Sequence, residues 1–163
     1  MHIDANLSQS IYLVPIIAFA EACPGVGLFV SGVILVGITS YLYIDAGASL
    51  LAILALAFCG AMAADHAGFY LGRCFGPVFH RSRLATQYPS SIARADDLVQ
   101  RYGGAAIFIG RFIPAIRSIV PAAVGIAGTH RLRFSILDTF ACAGWALGLG
   151  AILLGVETTF GLA

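Results

Sequence analysis

From Leu50 to Leu71 the chain runs through 22 residues with a single formally charged side chain, Asp65. At about 1.5 Å per residue that stretch reaches about 33 Å as a helix, enough to cross roughly 30 Å of hydrocarbon. A second run, Phe134 to Val156, repeats the pattern with Asp138 as its one formal charge. Two such runs in 163 residues, with 60% of the chain hydrophobic and 10% charged, leave too little polar surface for a water-soluble globule. Soluble domains carry about a quarter charged residues. The expected class is therefore all-α and integral to a membrane.

Two further apolar regions do not fit a simple span. Residues 11–44 would make one helix of about 50 Å, too long for a single crossing. The stretch Pro24-Gly25-Val26-Gly27, followed by Ser31-Gly32, breaks it into a hairpin of two shorter helices. The region from about Ala105 to Ala127 is long enough to span, but it holds Arg111, Pro114, Arg117 and Pro121.

Arginine placement separates spanning from re-entry. The chain has no lysine, and none of its nine arginines precedes Arg73. Arg73, Arg81, Arg83, Arg94 and Arg101 lie before the third apolar region, and Arg131 and Arg133 follow it. A re-entrant third region keeps both clusters on the cytoplasmic side, as the positive-inside rule favours, and puts the arginine-free Asp45 loop outside. The expected layout is a re-entrant hairpin over 11–44 and a transmembrane helix over 50–72. A cytoplasmic or interfacial segment over 76–102 leads to a second re-entrant hairpin over 104–128, then a transmembrane helix over 133–157. Each half is a hairpin followed by a span, entered from opposite faces, which is an inverted repeat. The whole of 1–163 is one domain on this reading.

Gly60, Ala64, Gly68, Gly72 and Gly76 recur every four residues, and Gly144, Gly148, Ala151 and Gly155 make a similar face on the last helix. Small residues at this spacing let helices approach closely, here as a contact between the two spans. Pro89-Ser90-Ser91 reads as a helix start, so 89–102 is either an amphipathic interfacial helix ending near Gly103-Gly104 or a solvated loop.

A charge at bilayer depth costs about 3 kcal/mol or more, so such residues line a cavity or pair. Arg111 and Arg117 are six positions apart and would diverge on a continuous helix. Pro114 breaks the helix between them and would let both guanidiniums aim at one point. Two guanidiniums near freed backbone N–H groups suit a phosphate or another oxyanion. The alternative is a structural ion network with Glu21, Asp65 or Asp138, and the two readings are compatible, since a pair can open to admit a ligand. Glu21 precedes the Pro24-Gly25 break, and a carboxylate in a low-dielectric site can carry a proton; alternatively it faces the membrane surface. Arg73, two turns from Asp65, is a candidate partner for that carboxylate. His66 and His130 read as interfacial, and Tyr41, Tyr43 and Trp145 as belt or packing residues.

Other chemistries find no support. Cys23, Cys59, Cys74 and Cys142 are widely spaced and read as small apolar core residues, so no metal site and no cofactor are expected. There is no G-x-S-x-G, HExxH or P-loop, and the net charge of +1 argues for neither nucleic-acid binding nor an acidic tail. The run Ile11–Ala20 has no basic residue ahead of it and reads as retained rather than as a cleaved signal.

Four sequence elements, in order, resemble the DedA family, also called the SNARE-associated Golgi or VTT-domain family. Arg111-Phe112-Ile113-Pro114-Ala115-Ile116-Arg117, with Val120-Pro121 and Gly125, is similar to its R-F-x-P-x-x-R signature. Asp65 with Gly72-Arg73 and Gly76 matches a second element, Arg133-Phe134 with Asp138 and Trp145 a third, and Glu21 ahead of Pro24 and Gly27 a fourth. The resemblance covers about residues 15–157. Phe69 stands where relatives have tyrosine, Asp138 where they have asparagine, and Ser31 where they have proline. Val33 occupies a position that is acidic in many relatives, which removes one carboxylate from the proton coupling the family implies.

The resemblance implies lipid transport: bacterial relatives are associated with recycling undecaprenyl phosphate across the cytoplasmic membrane, and eukaryotic ones with phospholipid scrambling. The expected function is flippase- or scramblase-type translocation of an anionic lipid phosphate in the inner membrane, without enzymatic activity. Arg111, Arg117, Pro114 and Asp138 would form the substrate site, Glu21 and Asp65 would provide charge or proton coupling, and a homo-oligomer is open. The alternatives are a proton-coupled transporter of a small solute or ion, and a non-transporting membrane-integrity factor.

Overall fold

The computed structural model describes residues 11–23, 26, 32–79, 86–87, 89–113 and 116–160, with the side chains of 77–79 and 160 excepted. Every regular element among them is helical: α1 (Leu13–Ala22), α2 (Gly32–Ile44), α3 (Leu50–Phe79), α4 (Pro89–Tyr102), a 3₁₀ turn (Gly103–Ala105), α5 (Ala106–Arg111), α6 (Val120–Ile126) and α7 (Arg131–Phe160). The Pro24-Gly25 break and Pro114 fall outside the described residues.

Two helices are long and apolar enough to cross a membrane, Leu50–Gly76 within α3 and Arg131–Thr159 within α7. At 27 and 29 residues each reaches about 40 Å or slightly more. Both extend beyond the bounds read from the sequence, because Arg73 and Arg131 continue the helix past its apolar run. α1 and α2 have 10 and 13 residues, about 15 and 20 Å, too short to span. α5 and α6 are shorter still, at 6 and 7 residues. Pro15 and Pro121 are accommodated in the first turns of α1 and α6, where the missing N–H has no helical partner to lose.

The long helices lie antiparallel. Leu54 of α3 lies beside Gly150 of α7, Asp65 beside Cys142, and His66 beside Ser135. At one end Arg73 Nη1 donates to the Thr129 carbonyl at 2.8 Å, and Arg131 stacks over Tyr70 at 5.8 Å. At the other end Tyr43 Oη donates to Glu157 Oε2 at 2.8 Å.

The short helices share the long ones in a crossed pattern. α1 packs on α3 and α5 on α7, whereas α2 packs on α7 and α6 on α3. Each short pair thus touches both long helices. The two larger apolar cores are Val14, Ala18, Leu35, Leu42, Ile53, Ala57, Leu149 and Leu153 at the Tyr43 end, and Phe69, Ile107, Ile116, Val120, Val124 and Phe134 at the arginine end; a smaller cluster of Ala22, Ala61 and Ala64 packs against Trp145. The outward faces stay apolar, with Leu51 78% and Leu147 70% exposed, a surface suited to lipid rather than water.

Helix α4 is amphipathic. Ile92, Ala95 and Val99 are buried at helical spacing while Arg94, Asp97 and Arg101 face out, the last two paired at 2.8 Å. It packs on α5 and α6 and ends before Gly103, whose φ of 54° suits the residue after a helix. Residues 89–102 are thus a helix rather than a loop.

The glycine pattern serves a different contact from the one expected. A Cβ on Gly60 would collide with the Pro15 backbone of α1, and one on Gly72 with the Ala122 backbone of α6. Gly125 of α6 answers from the other side, against the Phe69 carbonyl. A Cβ on Gly76, Gly144, Gly148 or Gly155 would meet nothing within 4 Å. Gly68 is buried. The backbone-to-backbone approaches join α3 to short helices, Gly60 to α1 and Gly72 to α6, whereas α7 meets α3 through a side-chain tip, Leu54 against Gly150.

Candidate functional site

Between the two apolar cores the chain brings five charged residues together. Glu21 comes from the last turn of α1, Asp65 from the middle of α3, Arg111 from the end of α5, Arg117 from the turn before α6, and Asp138 from α7. Glu21, Asp65 and Asp138 are no more than 4% exposed. They survive burial because each lies close to a cation.

Arg111 Nη1 donates to Asp65 Oδ2 and stands 3.8 Å from Asp138 Oδ1. Arg117 Nη2 pairs with Glu21 Oε1 at 2.8 Å. The expected Asp65–Arg73 pair does not form: Arg73 is turned toward Thr129 and Asp65 toward Arg111. Breaking either buried pair from one side would strand a charge at a cost of about 3–5 kcal/mol.

The two arginines reach a common surface. The guanidinium of Arg111 lies 5.4 Å from the Trp145 ring centroid and that of Arg117 lies 5.8 Å away. The helical path between them is interrupted: α5 stops at Arg111, and turn bonds such as Ile113 N–H to Gly110 O and Ile119 N–H to Ile116 O carry the chain to α6. This is how residues six positions apart face one ring.

Neighbouring side chains complete the site. Cys142 Sγ lies 3.7 Å from Asp65 Oδ2 and 3.6 Å from Asp138 Oδ1. His66 Nδ1 lies 3.3 Å from Asp138 Oδ2 and 3.0 Å from the Met62 carbonyl, and its Nε2 is 3.1 Å from Ser135 Oγ. Gly32 gives Glu21 its room: a Cβ there would stand 2.6 Å from Glu21 Oε1. Among the described residues, the buried atoms Glu21 Oε2, Arg111 Nε, Ser118 Oγ and Asp138 Oδ2 have no hydrogen-bond partner. The site thus holds unused donors and acceptors.

Donor atoms of Asp65, Asp138 and Cys142 lie within 4.8 Å of one another, a spacing a metal ion would accept. Arg111 already supplies positive charge at that point, so the arrangement is read as an ion network.

The fold brings together Glu21, Asp65, Arg111, Arg117 and Asp138, the five charged residues that the sequence marks as site candidates. Trp145, His66 and Cys142 join them, although in the sequence they read only as a belt or packing residue, an interfacial residue and a core residue. Trp145 lies seven positions after Asp138, two helical turns along the same face. That spacing was the available signal.

The chain matches the VTT domain over residues 10–153. It is 25% identical over 143 residues to an uncharacterized membrane protein of Buchnera aphidicola, covering 88% of this chain and 56% of that protein. It is 33% identical over 73 residues to undecaprenyl phosphate transporter A of Staphylococcus aureus, covering 44% and 35% of the two chains. Over 69 residues it is 32% identical to the inner membrane protein YqjA of Escherichia coli, covering 41% and 31%. The matches span at most about half the length of these relatives, and no solved structure matches. The relatives' names agree with the membrane character of α3 and α7, and the family match extends across both halves of the fold and every charged residue of the site. The chain belongs to the VTT-domain family, the DedA family of membrane proteins.

Proposed function

We propose that this protein moves an anionic lipid phosphate, such as undecaprenyl phosphate, between the leaflets of the cytoplasmic membrane. The observation that carries the reading is the convergence of Arg111 and Arg117 on Trp145, each guanidinium held by a carboxylate it can release. A phosphate entering between them would replace Glu21 or Asp65 as the acceptor, since guanidinium forks match phosphate oxygens as well as carboxylates. The freed carboxylate would then take a proton or hold the second arginine in place. Substrate would exchange one ion pair for another rather than desolvate two bare cations, which keeps the step within reach of thermal motion.

The crossed packing of the short helices supports an inverted repeat of two re-entrant hairpins around this site. The antiparallel spans, with arginines gathered at one end, support a multi-pass protein whose Arg73–Arg133 end is cytoplasmic. Transporters of this plan carry substrate near the membrane midplane between broken helices. The names of the Staphylococcus aureus relative, and of a Bacillus subtilis protein 29% identical over 90 residues, support undecaprenyl phosphate as the lipid.

Purified protein in liposomes containing labelled polyprenyl phosphate tests the reading. Wild type is expected to equilibrate the lipid across the bilayer, and Arg117→Ala to slow it by about tenfold or more, the weight of one lost charge-assisted contact. Equal rates for wild type and Arg117→Ala would remove the arginine from the site.

A further inference from the structure

Three carboxylates and two guanidiniums share the buried site, so it is one positive charge short. Arg111 is committed to Asp65 and Arg117 to Glu21, leaving Asp138 as the remainder. Asp138 is fully buried, its Oδ2 has no hydrogen-bond partner among the described residues, and its Oδ1 accepts from Cys142 Sγ with Arg111 no closer than 3.8 Å. An unbalanced carboxylate in such a place is costly.

The group facing Asp138 Oδ2 is the imidazole of His66, at 3.3 Å. Nδ1 looks onto two acceptors, the Met62 carbonyl and the carboxylate, and Nε2 looks onto the Ser135 hydroxyl, which can accept. The His66 side chain is 24% exposed while Asp138 is 0% exposed, so the imidazole links the buried carboxylate to the surroundings of the bundle. Phe134 packs edge-on against the ring at 5.1 Å and fixes its plane.

We infer that His66 and Asp138 form a proton-binding pair that balances the charge of the buried site. With the proton bound, three carboxylates face three cations. With it released, the site carries a net negative charge and repels an incoming phosphate. The remaining groups around the pair are accounted for: α7 contributes Cys142, α5 contributes Arg111, α3 contributes Asp65, α1 contributes Glu21 only through Arg117, and α6 carries no titratable side chain. The link to phosphate rests on the proposed function; the proton site itself does not.

Thermal unfolding in detergent, with His2, His80 and His130 replaced by Gln so that His66 is the sole imidazole, tests the pair directly. The balanced form is present at low pH, so stability is expected to fall as pH rises from 5.5 to 8.5, by about 2–4 °C in Tm. Asp138→Asn balances two carboxylates against two arginines without a proton and should flatten that step. His66→Gln should hold the protein near its high-pH stability throughout. An unchanged step in Asp138→Asn, or one that follows added sodium or zinc instead of pH, overturns the proposal. A short-chain dialkyl phosphate, a monoanion at both pH values, then reports the coupling: it should bind about fivefold or more tightly to the His66-only protein at pH 6 than at pH 8, and equally at both to that protein carrying Asp138→Asn. If it does not bind at all, the phosphate reading fails while the unfolding data still decide the proton site. If it binds without pH dependence, the coupling is absent.

Discussion

At the scale of single residues, the site is built from groups whose roles depend on what lies opposite them. Gly32 is the sharpest case. A methyl group there would stand 2.6 Å from the Glu21 oxygen that Arg117 holds, so Gly32→Ala must push the carboxylate aside. The expected outcome is loss of lipid translocation as severe as that of Glu21→Gln, with helix content by circular dichroism unchanged; wild-type transport by Gly32→Ala would refute the positioning role. The charged residues themselves were readable because a formal charge in an apolar run needs a reason, and five of them stand out against their surroundings. Trp145 and His66 were not readable in that way. An aromatic or an imidazole in a membrane helix has several ordinary explanations, and only the fold shows that they face Arg111, Arg117 and Asp138. Trp145→Leu should therefore weaken short-chain alkyl phosphate binding by about 0.5–2 kcal/mol, with Trp145→Phe retaining most of it, since a ring face is what the guanidiniums use.

At the scale of elements, the two long helices were legible from length and charge alone, while their neighbours were not. The four-residue rhythm of small residues on α3 announces a close helix contact but not the partner, because the same face suits any helix that comes near. The structure assigns Gly60 to α1 and Gly72 to α6, and leaves the similar rhythm on α7 open. This difference is measurable. Gly72→Val drives a side chain into the Ala122 backbone, which cannot yield as a side-chain tip would, and should cost at least about 2–3 kcal/mol or prevent folding. Gly148→Val projects into open space and should leave the unfolding temperature in detergent within a degree or two of wild type. Equal effects of the two substitutions would contradict the assignment. The amphipathic pattern of α4 was legible too, in Ile92, Ala95 and Val99, although composition alone could not choose between a helix and a loop.

At the scale of the whole molecule, the proposed re-entrant arm over 104–128 makes a testable claim: both of its ends lie on the same side of the membrane. α4 precedes that hairpin and packs on both α5 and α6, and α7 begins beside the end of α3, through Arg73–Thr129 and Arg131–Tyr70. These contacts, with α5 and α6 only 6 and 7 residues long, favour the proposed arm that enters and returns at one end of the bundle. The Asp45 turn and Glu157, joined near Tyr43, lie at the opposite end. In a background with Cys23, Cys59, Cys74 and Cys142 removed, cysteines at Ala93 and His130, both exposed, should react with a membrane-impermeant maleimide from the same side. Cysteines at Asp45 and Thr158, also exposed, should react from the other. Labelling of positions 93 and 130 from opposite sides would mean that residues 104–128 cross the bilayer. Arg111 and Arg117 would then sit on a spanning segment with an arginine cluster on each side, against the charge bias that orients such proteins. The paired-hairpin transporter reading would fall with it, because a re-entrant arm can bring both guanidiniums to Trp145 while keeping both ends of the arm in contact with cytoplasmic water.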